Sequence, residues 1–442
     1  MSSNKNKKYW KNLAELNPLN NSALESLGQK EFVEEIPVDE FLADDKNLSN
    51  SSTSRRDFLK YVGFSTAAAS LAACEGPVIK SIPYVVQPEQ IIPGIANYYA
   101  TTIANGYDFA NVLIKTREGR PIKVELNKLA PISASANARV QASVLDLYDS
   151  FRLAKPFKNQ VESSWTEFDS DTMKKLNSLK NTSKSIVFLT QTFASPSTHK
   201  LISDFINNYS NAKHVVYDSV SESAALEAYE SKYGSRGLPN YDFSLSDLII
   251  SIGADILGDW QGGGFDSKYG KSRIPTNGKM SRHIHFEANM SLTGANADNR
   301  YPVNQNEQKL VLLSIYSKLF NLQADINISD KLVKVVNSVM KELLESNNPV
   351  VVSGIQEVEY QNLVLDINQR LNSKAFQPEN TILTRQGNDS EVSKLIKDMN
   401  DGKVGAIIMA GVNPVYTLSN SNDFIEGLKK TEMSVLFSMK ND

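Results

Sequence analysis

One cysteine, Cys74, stands in a chain of 442 residues. A lone thiol cannot close an internal disulfide, and it cannot supply the four thiolates of an iron–sulfur cluster or an all-cysteine zinc site. Its setting points to a different chemistry. Leu71-Ala72-Ala73 precede it, a small-residue box after which a lipoprotein cysteine becomes the new N-terminus and carries acyl chains. The alternative is a small buried hydrophobe in a helix. Upstream, Ser54-Arg55-Arg56-Asp57-Phe58-Leu59-Lys60 opens the apolar run Tyr61–Ala73, which is too short to cross a hydrocarbon core of ~30 Å. Adjacent arginines followed by Phe58-Leu59 read as a twin-arginine export signal, an address rather than a structural element. Lipid attachment is therefore expected at Cys74 and export recognition at Arg55, Arg56, Phe58 and Leu59. The rest of the chain is then expected on the extracytoplasmic, periplasmic face of the inner membrane.

A second group with chemical potential is His283-Ile284-His285-Phe286-Glu287. On a strand, His283, His285 and Glu287 share one face, and imidazoles with a carboxylate can ligate zinc or iron. Successive same-face residues of one strand rarely converge on a single ion, and the only other histidines are His199 and His214. The expected reading is an ordinary strand, and no catalytic, cofactor-binding or metal residue is assigned. Glycine steps at Ser251–Asp255 and Trp260–Gly264 could let backbone approach a pyrophosphate. The second reads equally well as a surface loop, and no full Gly-x-Gly-x-x-Gly is present.

The elements that carry these groups follow from periodicity. Residues 1–53 form a polar leader with one short aromatic stretch, Tyr9–Pro18, and an Asn/Ser tract at Asn47–Ser54. This leader is either a chaperone-binding handle or a poorly ordered tail. Residues 54–74 are the signal, and 75–95 a proline-spaced linker. Over 96–160 a small β-rich domain is expected, with a hairpin over Ala110–Leu126 turning at Arg117–Arg120, then a helix over Asn137–Tyr148 with Val140, Val144, Leu145 and Tyr148 near one face. From Ser185 short apolar strands alternate with helices. This predicts doubly wound, mostly parallel sheets in two α/β portions, 161–320 and 321–442. Composition is that of a globular protein, 41% hydrophobic and 22% charged, and a net charge of −3 carries no nucleic-acid footprint. No stretch after Cys74 is apolar for the ~18 residues a spanning helix needs.

Several ordered segments carry a resemblance. The leader and signal together (Tyr9-Trp10-Lys11-Asn12-Leu13, Phe32-Val33-Glu34-Glu35-Ile36-Pro37, Ser54–Lys60) resemble the extended twin-arginine leader of molybdopterin oxidoreductase-like iron–sulfur proteins. The best-known of these are the large iron–sulfur subunits of alternative complex III, a quinol-oxidising respiratory assembly. The hairpin, the Ala138-Arg139-Val140-Gln141-Ala142 helix, Leu147–Leu153, Ser164-Trp165, the Ser291–Asp298 loop and the Ala410-Gly411-Val412-Asn413-Pro414 strand end continue the likeness in order. Within it, the Ser291–Asp298 loop is similar to one that contacts a pterin dinucleotide in active relatives. The chain departs from the pattern at Tyr98–Gly106, where catalytic members hold a four-iron cluster and this chain has no thiol.

The resemblance implies a non-catalytic scaffold domain in a membrane-attached quinol:electron-acceptor oxidoreductase. Its expected partners are a quinol-oxidising integral membrane subunit, multihaem cytochrome c subunits and a terminal oxidase. No cofactor is expected in this portion, and iron–sulfur clusters are expected in a further C-terminal portion beyond Asp442. Two alternatives stand beside it: an active bis-pterin molybdenum oxidoreductase and a lipid-anchored extracytoplasmic binding protein.

Overall fold

The computed structural model describes residues 91–92, 94–130, 136–276 and 278–441. Cys74, Arg55, Arg56, Phe58 and Leu59, with the leader and signal, lie outside the described residues. The described chain divides into two compact units. One holds Leu113–Lys123 with the residues up to Ala100, and the other holds Thr101–Val112 and everything from Val124.

Strands β1 (Ala96–Asn105), β2 (Asp108–Arg117) and β3 (Arg120–Leu126) form a sheet in that order. The turn between β2 and β3 places Glu118 at φ 50° and Gly119 at φ 78°, the positive-φ pair of a tight primed turn. In the smaller unit the Thr116 hydroxyl donates to Asn97 O at 3.3 Å. The expected helix over Asn137–Tyr148 is broken: an α-helical turn, Ala138–Ala142, tightens into a 3₁₀ segment, Ser143–Leu147. That change of pitch rotates the later residues outward. Val140 is buried, whereas Leu145 and Tyr148 are exposed.

Next come the short pair β4 (Phe157–Lys158) and β5 (Val161–Glu162), then β6 (Ser185–Thr190), β7 (Ala212–Val216), β8 (Leu238–Tyr241), β9 (Leu248–Ile252), β10 (Arg282–Glu287), β11 (Asn299–Pro302), β12 (Pro349–Ser353), β13 (Phe376–Ile382), β14 (Val404–Ala410) and β15 (Met433–Phe437). Two four-stranded sheets, parallel throughout, result. The first has the order β15-β14-β6-β7 and the second β11-β10-β9-β12. The chain leaves the first sheet after β7, builds all of the second, and returns through the antiparallel pair β8-β13 to add β14 and β15. β12 completes the second sheet from beyond residue 320, and β14 completes the first.

Apolar residues explain why both faces of these sheets are covered. On the second sheet Ile250, Ile252, Ile284 and Phe286 pack against helices Gln305–Leu319 and Asp330–Glu345 through Val311, Ile315, Val336 and Val339. The opposite face buries Ile249, Val350 and Val352 under Tyr241, Phe243, Trp260 and Tyr269. The first sheet buries Val187, Leu189, Ile407 and Met409 under helices Asp389–Asn400 and Ser421–Lys430. Continuous apolar runs of this kind are the mark of strands covered on both sides. Side chains cap the helix starts: Ser195 accepts from Thr198 N, Asn388 accepts from Glu391 N, and Asn304 with Glu307 closes a capping box. Among the described residues no helix is long and apolar enough to cross a membrane.

Candidate functional site

Open parallel sheets place ligands outside the carboxyl ends of their strands, where the strand order reverses. The two sheets have two such points, β6/β14 and β9/β12.

At β6/β14 a two-residue turn, Gly106-Tyr107, drops from the β1–β2 hairpin, with Gly106 at φ 58°. The Tyr107 ring lies over the Arg385 guanidinium, 3.6 Å from ring centre to Cζ, and 4.9 Å from Arg139 Cζ. Arg385 is 1% exposed and is the largest fully buried side chain among the described residues. Asp259 joins the two arginines, accepting from Arg139 Nη1 at 2.8 Å and from Arg385 Nη2 at 2.7 Å. Arg139 also clamps Asp108 through Nε (2.7 Å) and Nη2 (3.0 Å). The hydrogen bonds to Asp108, opposed by burial and supported by Asp259, raise the Arg139 pKa further. Burial pushes the Tyr107 phenol up, and Arg385 acts against that shift. The result is a stacked, internally neutral ladder of two guanidinium groups and two carboxylates.

Asp218, just past β7, stands where such folds place an acid for a ribose. It instead accepts from Thr192 N (2.8 Å), Thr192 Oγ1 (2.6 Å) and Gly387 N (3.0 Å). The Gln191 side chain is wedged between two glycines. A Cβ on Gly106 would lie 2.9 Å from Gln191 Cδ, and one on Gly411 would lie 2.6 Å from Gln191 Nε2. What remains is a cleft of about 300 Å³ lined by Tyr107, Arg139, Arg385, Gln191 and Asn413. On the far side of Gln191 lies an apolar cleft of about 660 Å³ walled by Phe168, Phe188, Phe193, Phe205 and Phe437.

The second switch point is closed more tightly. The Trp260 indole donates to Ser353 O at 3.1 Å. Gly253 N donates to Phe286 O (2.7 Å) and Gly354 N to Ile252 O (2.9 Å), so these strand-end amides are committed within the sheet. The Gln308 amide oxygen fills the space over Gly253, and a Cβ on Gly354 would lie 2.2 Å from Gly253 O. Gly354→Ala is accordingly expected to lower stability by about 1–3 kcal/mol through overpacking. Gly270→Ala, in a helix with nothing within 4 Å of the new carbon, should be neutral or stabilising by up to about 1 kcal/mol. Unfolding midpoints of the two variants check this, and equal midpoints would remove the close-approach argument.

The glycine run Trp260–Gly264 is used internally. A Cβ on Gly262 would lie 2.8 Å from Thr384 Cβ, and Gln261 takes φ 51° while 2% exposed. Gln261 N donates to Glu222 (3.0 Å), and Gln261 O accepts from Thr384 Oγ1 (2.7 Å). Burial raises the Glu222 pKa, against the lowering by its hydrogen bonds from Gln261 N and Gln356 Nε2. The loop thus holds the Arg385 segment in place.

His283, His285 and Glu287 do share one face of β10, buried beside Ser251 of the neighbouring strand β9. They are joined to each other through Ser251: His283 Nε2 is 2.7 Å from Ser251 Oγ, which also contacts His285 Nδ1, and His285 Nε2 is 2.9 Å from Glu287 Oε2. Burial pushes the His283 pKa down to about 3 and that of His285 also downward. Burial opposes ionisation of Glu287, but Arg300, Ser291 and His285 outweigh it and hold its pKa low, at about 2. Among the described residues no group of three or more His, Cys, Asp or Glu side chains is arranged to hold a metal ion. In the Ser291–Asp298 loop, Thr293 binds Asp255 (2.6 Å), and Asp298 takes a two-point clasp from Arg273 (2.7 and 2.8 Å).

These contacts decide whether a pterin dinucleotide fits. The smaller cleft, about 300 Å³, is at the low end for a drug-sized ligand, and its two arginines already face carboxylates. The larger cleft is walled by phenylalanines, which suit no diphosphate. At the second switch point the strand-end amides and the loop carboxylates are engaged within the chain. The residues present do not fit the group.

Sequence reasoning pointed to Arg139 and to the Ser291–Asp298 and Gly411 segments, but it missed Tyr107, Asp108, Gln191, Asp259 and Arg385.

No known protein-family profile matches the chain. It is similar to the "menaquinone reductase, molybdopterin-binding-like subunit" of Nitratidesulfovibrio vulgaris (strain Hildenborough), with 24% identity over 216 residues, 47% of this chain and 31% of that protein. The chain thus matches under a third of that relative's length. Among solved structures it is similar to acetylene hydratase from Pelobacter acetylenicus, with a TM-score of 0.51 and 10% identity over 77% of this chain and 59% of that one. This likeness is one of fold, and it bears out the expected α/β architecture with mostly parallel sheets.

Proposed function

We propose that this chain is a redox-silent, molybdopterin-oxidoreductase-like scaffold domain of a membrane-attached, quinone-linked respiratory complex. The observation that carries the reading is the side-chain packing at the β6/β14 crevice: Arg385 is buried under Tyr107 and locked to Asp259, with Gln191 between the two clefts. The fold likeness and the printed name of the menaquinone reductase relative support it. So does the single cysteine, since one thiol cannot hold a cluster.

In its finer form the proposal is the alternative complex III arrangement. A quinol-oxidising membrane subunit delivers electrons through iron–sulfur clusters outside this portion to multihaem cytochrome c subunits and a terminal oxidase. This domain supplies docking surface, on the periplasmic face of the inner membrane, tethered by lipid at Cys74 after twin-arginine export.

Elemental mass spectrometry on the native complex tests the reading. Molybdenum and tungsten are expected well below one atom per polypeptide, and near-stoichiometric metal would replace the scaffold with the active bis-pterin alternative. Among the described residues, the apolar cleft of about 660 Å³ favours the binding-protein alternative. A small apolar molecule retained by the isolated chain at one equivalent would support that alternative instead.

A further inference from the structure

The histidine chain on the second sheet is not used by the scaffold role, and its geometry has two self-consistent states. It runs Tyr269–His283–Ser251–His285–Glu287–Arg300, with Ser251 and both histidines at most 1% exposed, so water does not compete for its bonds. Both ends reach the same loop. Ser291 N donates to Glu287 Oε2 at 3.0 Å at one end, and Tyr269 Oη lies 3.2 Å from Asn296 O at the other.

An ionised Glu287, held by Arg300 and Ser291, only accepts. His285 must then carry its proton on Nε2, leaving Nδ1 bare to accept from the Ser251 hydroxyl. With that proton used, Ser251 Oγ can only accept, so His283 carries its proton on Nε2. Its bare Nδ1 accepts from Tyr269, 3.0 Å away, and Asn296 O loses the tyrosine as a donor. A second proton on His285 reverses each step. The protons move one bond each along the chain: Tyr269 passes its hydroxyl proton to His283 Nδ1 and takes one from solution, His283 Nε2 passes its proton to Ser251, and Ser251 passes its own to His285 Nδ1. His285 Nδ1 then donates to Ser251, Ser251 donates to His283 Nε2, and His283 Nδ1 donates to Tyr269. The Tyr269 hydroxyl then turns to Asn296 O. Every member has a partner in both states, because Tyr269 Oη sits within reach of both His283 Nδ1 and Asn296 O.

We propose that this chain is a proton-addressed switch: one proton gained by His285 reverses all the bonds back to Tyr269 and fastens the C-terminal end of the Ser291–Asp298 loop. His285 is faced by Glu287 on its own strand, by Ser251 of β9 and Asp255 just beyond it, and, through Glu287, by Arg300 of β11. His283 is faced by Tyr269 and Arg273 of helix Asp266–Ser272 and by Asp298 of the loop. Acidic neighbours surround His285 and a guanidinium approaches His283, so the first proton belongs on His285. Both pKa values lie below the unfolded value of about 6.5. Whatever stability the neutral pair contributes is therefore complete above that pH and falls away as the solution is acidified.

The test is two-bond ¹H–¹⁵N correlation on the full chain labelled with ¹⁵N-histidine. Only four imidazoles contribute, and His199→Gln and His214→Gln assign the other two by difference. At neutral pH both His283 and His285 should carry the proton on Nε2. On acidification His285 should become doubly protonated first, while His283, still neutral, changes to the Nδ1–H form. In Ser251→Ala that tautomer change should no longer follow the titration of His285. The wild-type spectrum decides the matter even if this variant does not fold. The proposal is overturned by Nδ1–H on His283 at neutral pH, by a His283 tautomer that stays fixed while His285 titrates, or by unfolding before His285 titrates.

Discussion

Arg385→Ala is expected to lower the stability of this protein by about 3–5 kcal/mol, the range for emptying a large buried site. The side chain is 1% exposed and fills the space between the Tyr107 ring and Asp259. Truncation removes the stacking contact, the charge-assisted hydrogen bond to Asp259 and most of the packing volume together. The electrostatic share is the smaller one, because Asp259 is about a third exposed and keeps Arg139 at 2.8 Å. Arg385→Met, which restores volume without charge, should therefore recover a large part of the loss. Midpoints of urea unfolding, compared between variants, read this order without requiring two-state behaviour of so large a chain. A midpoint for Arg385→Ala equal to that of wild type would mean that the guanidinium does not close the crevice, and the scaffold reading would lose its main support.

The two arginines differ in how much of their setting is local in the sequence. Arg139 was visible because it lies in a local motif, Ala138–Ala142, whose residues are neighbours in the chain. Arg385 was not visible, because its partners are Tyr107 and Asp259, brought together only when the chain returns from the second sheet to the first. The same division holds for the fold. β9, Leu248-Ile249-Ile250-Ser251-Ile252, is buried at every position and announces itself as an apolar run ended by glycine. The turns and helix caps are equally local. Strand order is not local: nothing in Val404–Ala410 says that it lies beside Ser185–Thr190 rather than beside Pro349–Ser353, since both neighbours are equally apolar. Periodicity therefore located the strands and implied parallel sheets, yet missed that one sheet interrupts the other. It also placed His283, His285 and Glu287 on one face, where the expectation of an ordinary strand omitted the serine that links them. Ser251 lies on a different strand, and its register opposite His285 is a tertiary fact.

Replacing both Arg55 and Arg56 by lysine is expected to abolish export, and Cys74→Ala is expected to permit export but release the protein from lipid. The two variants separate two proposals that depend on different physics. As an export signal the arginine pair would be read by a receptor, so a conservative exchange that keeps both charges should still fail: lysine lacks the planar guanidinium. Acyl chains on the cysteine would act through hydrophobic transfer, at about 0.8 kcal/mol per buried methylene. One chain gives only marginal binding, and stable anchoring needs a second chain or a second contact. Cell fractionation scores the first variant, and detergent-phase partitioning of the exported protein scores the second. Normal export of the double-lysine variant would sink the twin-arginine assignment and, with it, the periplasmic placement. If Cys74→Ala stays in the detergent phase, Cys74 is not the lipid site. If instead it leaves the detergent phase but still sediments with membranes, attachment runs through partner subunits, which is what a docking scaffold would provide. That outcome would correct the anchor while strengthening the role.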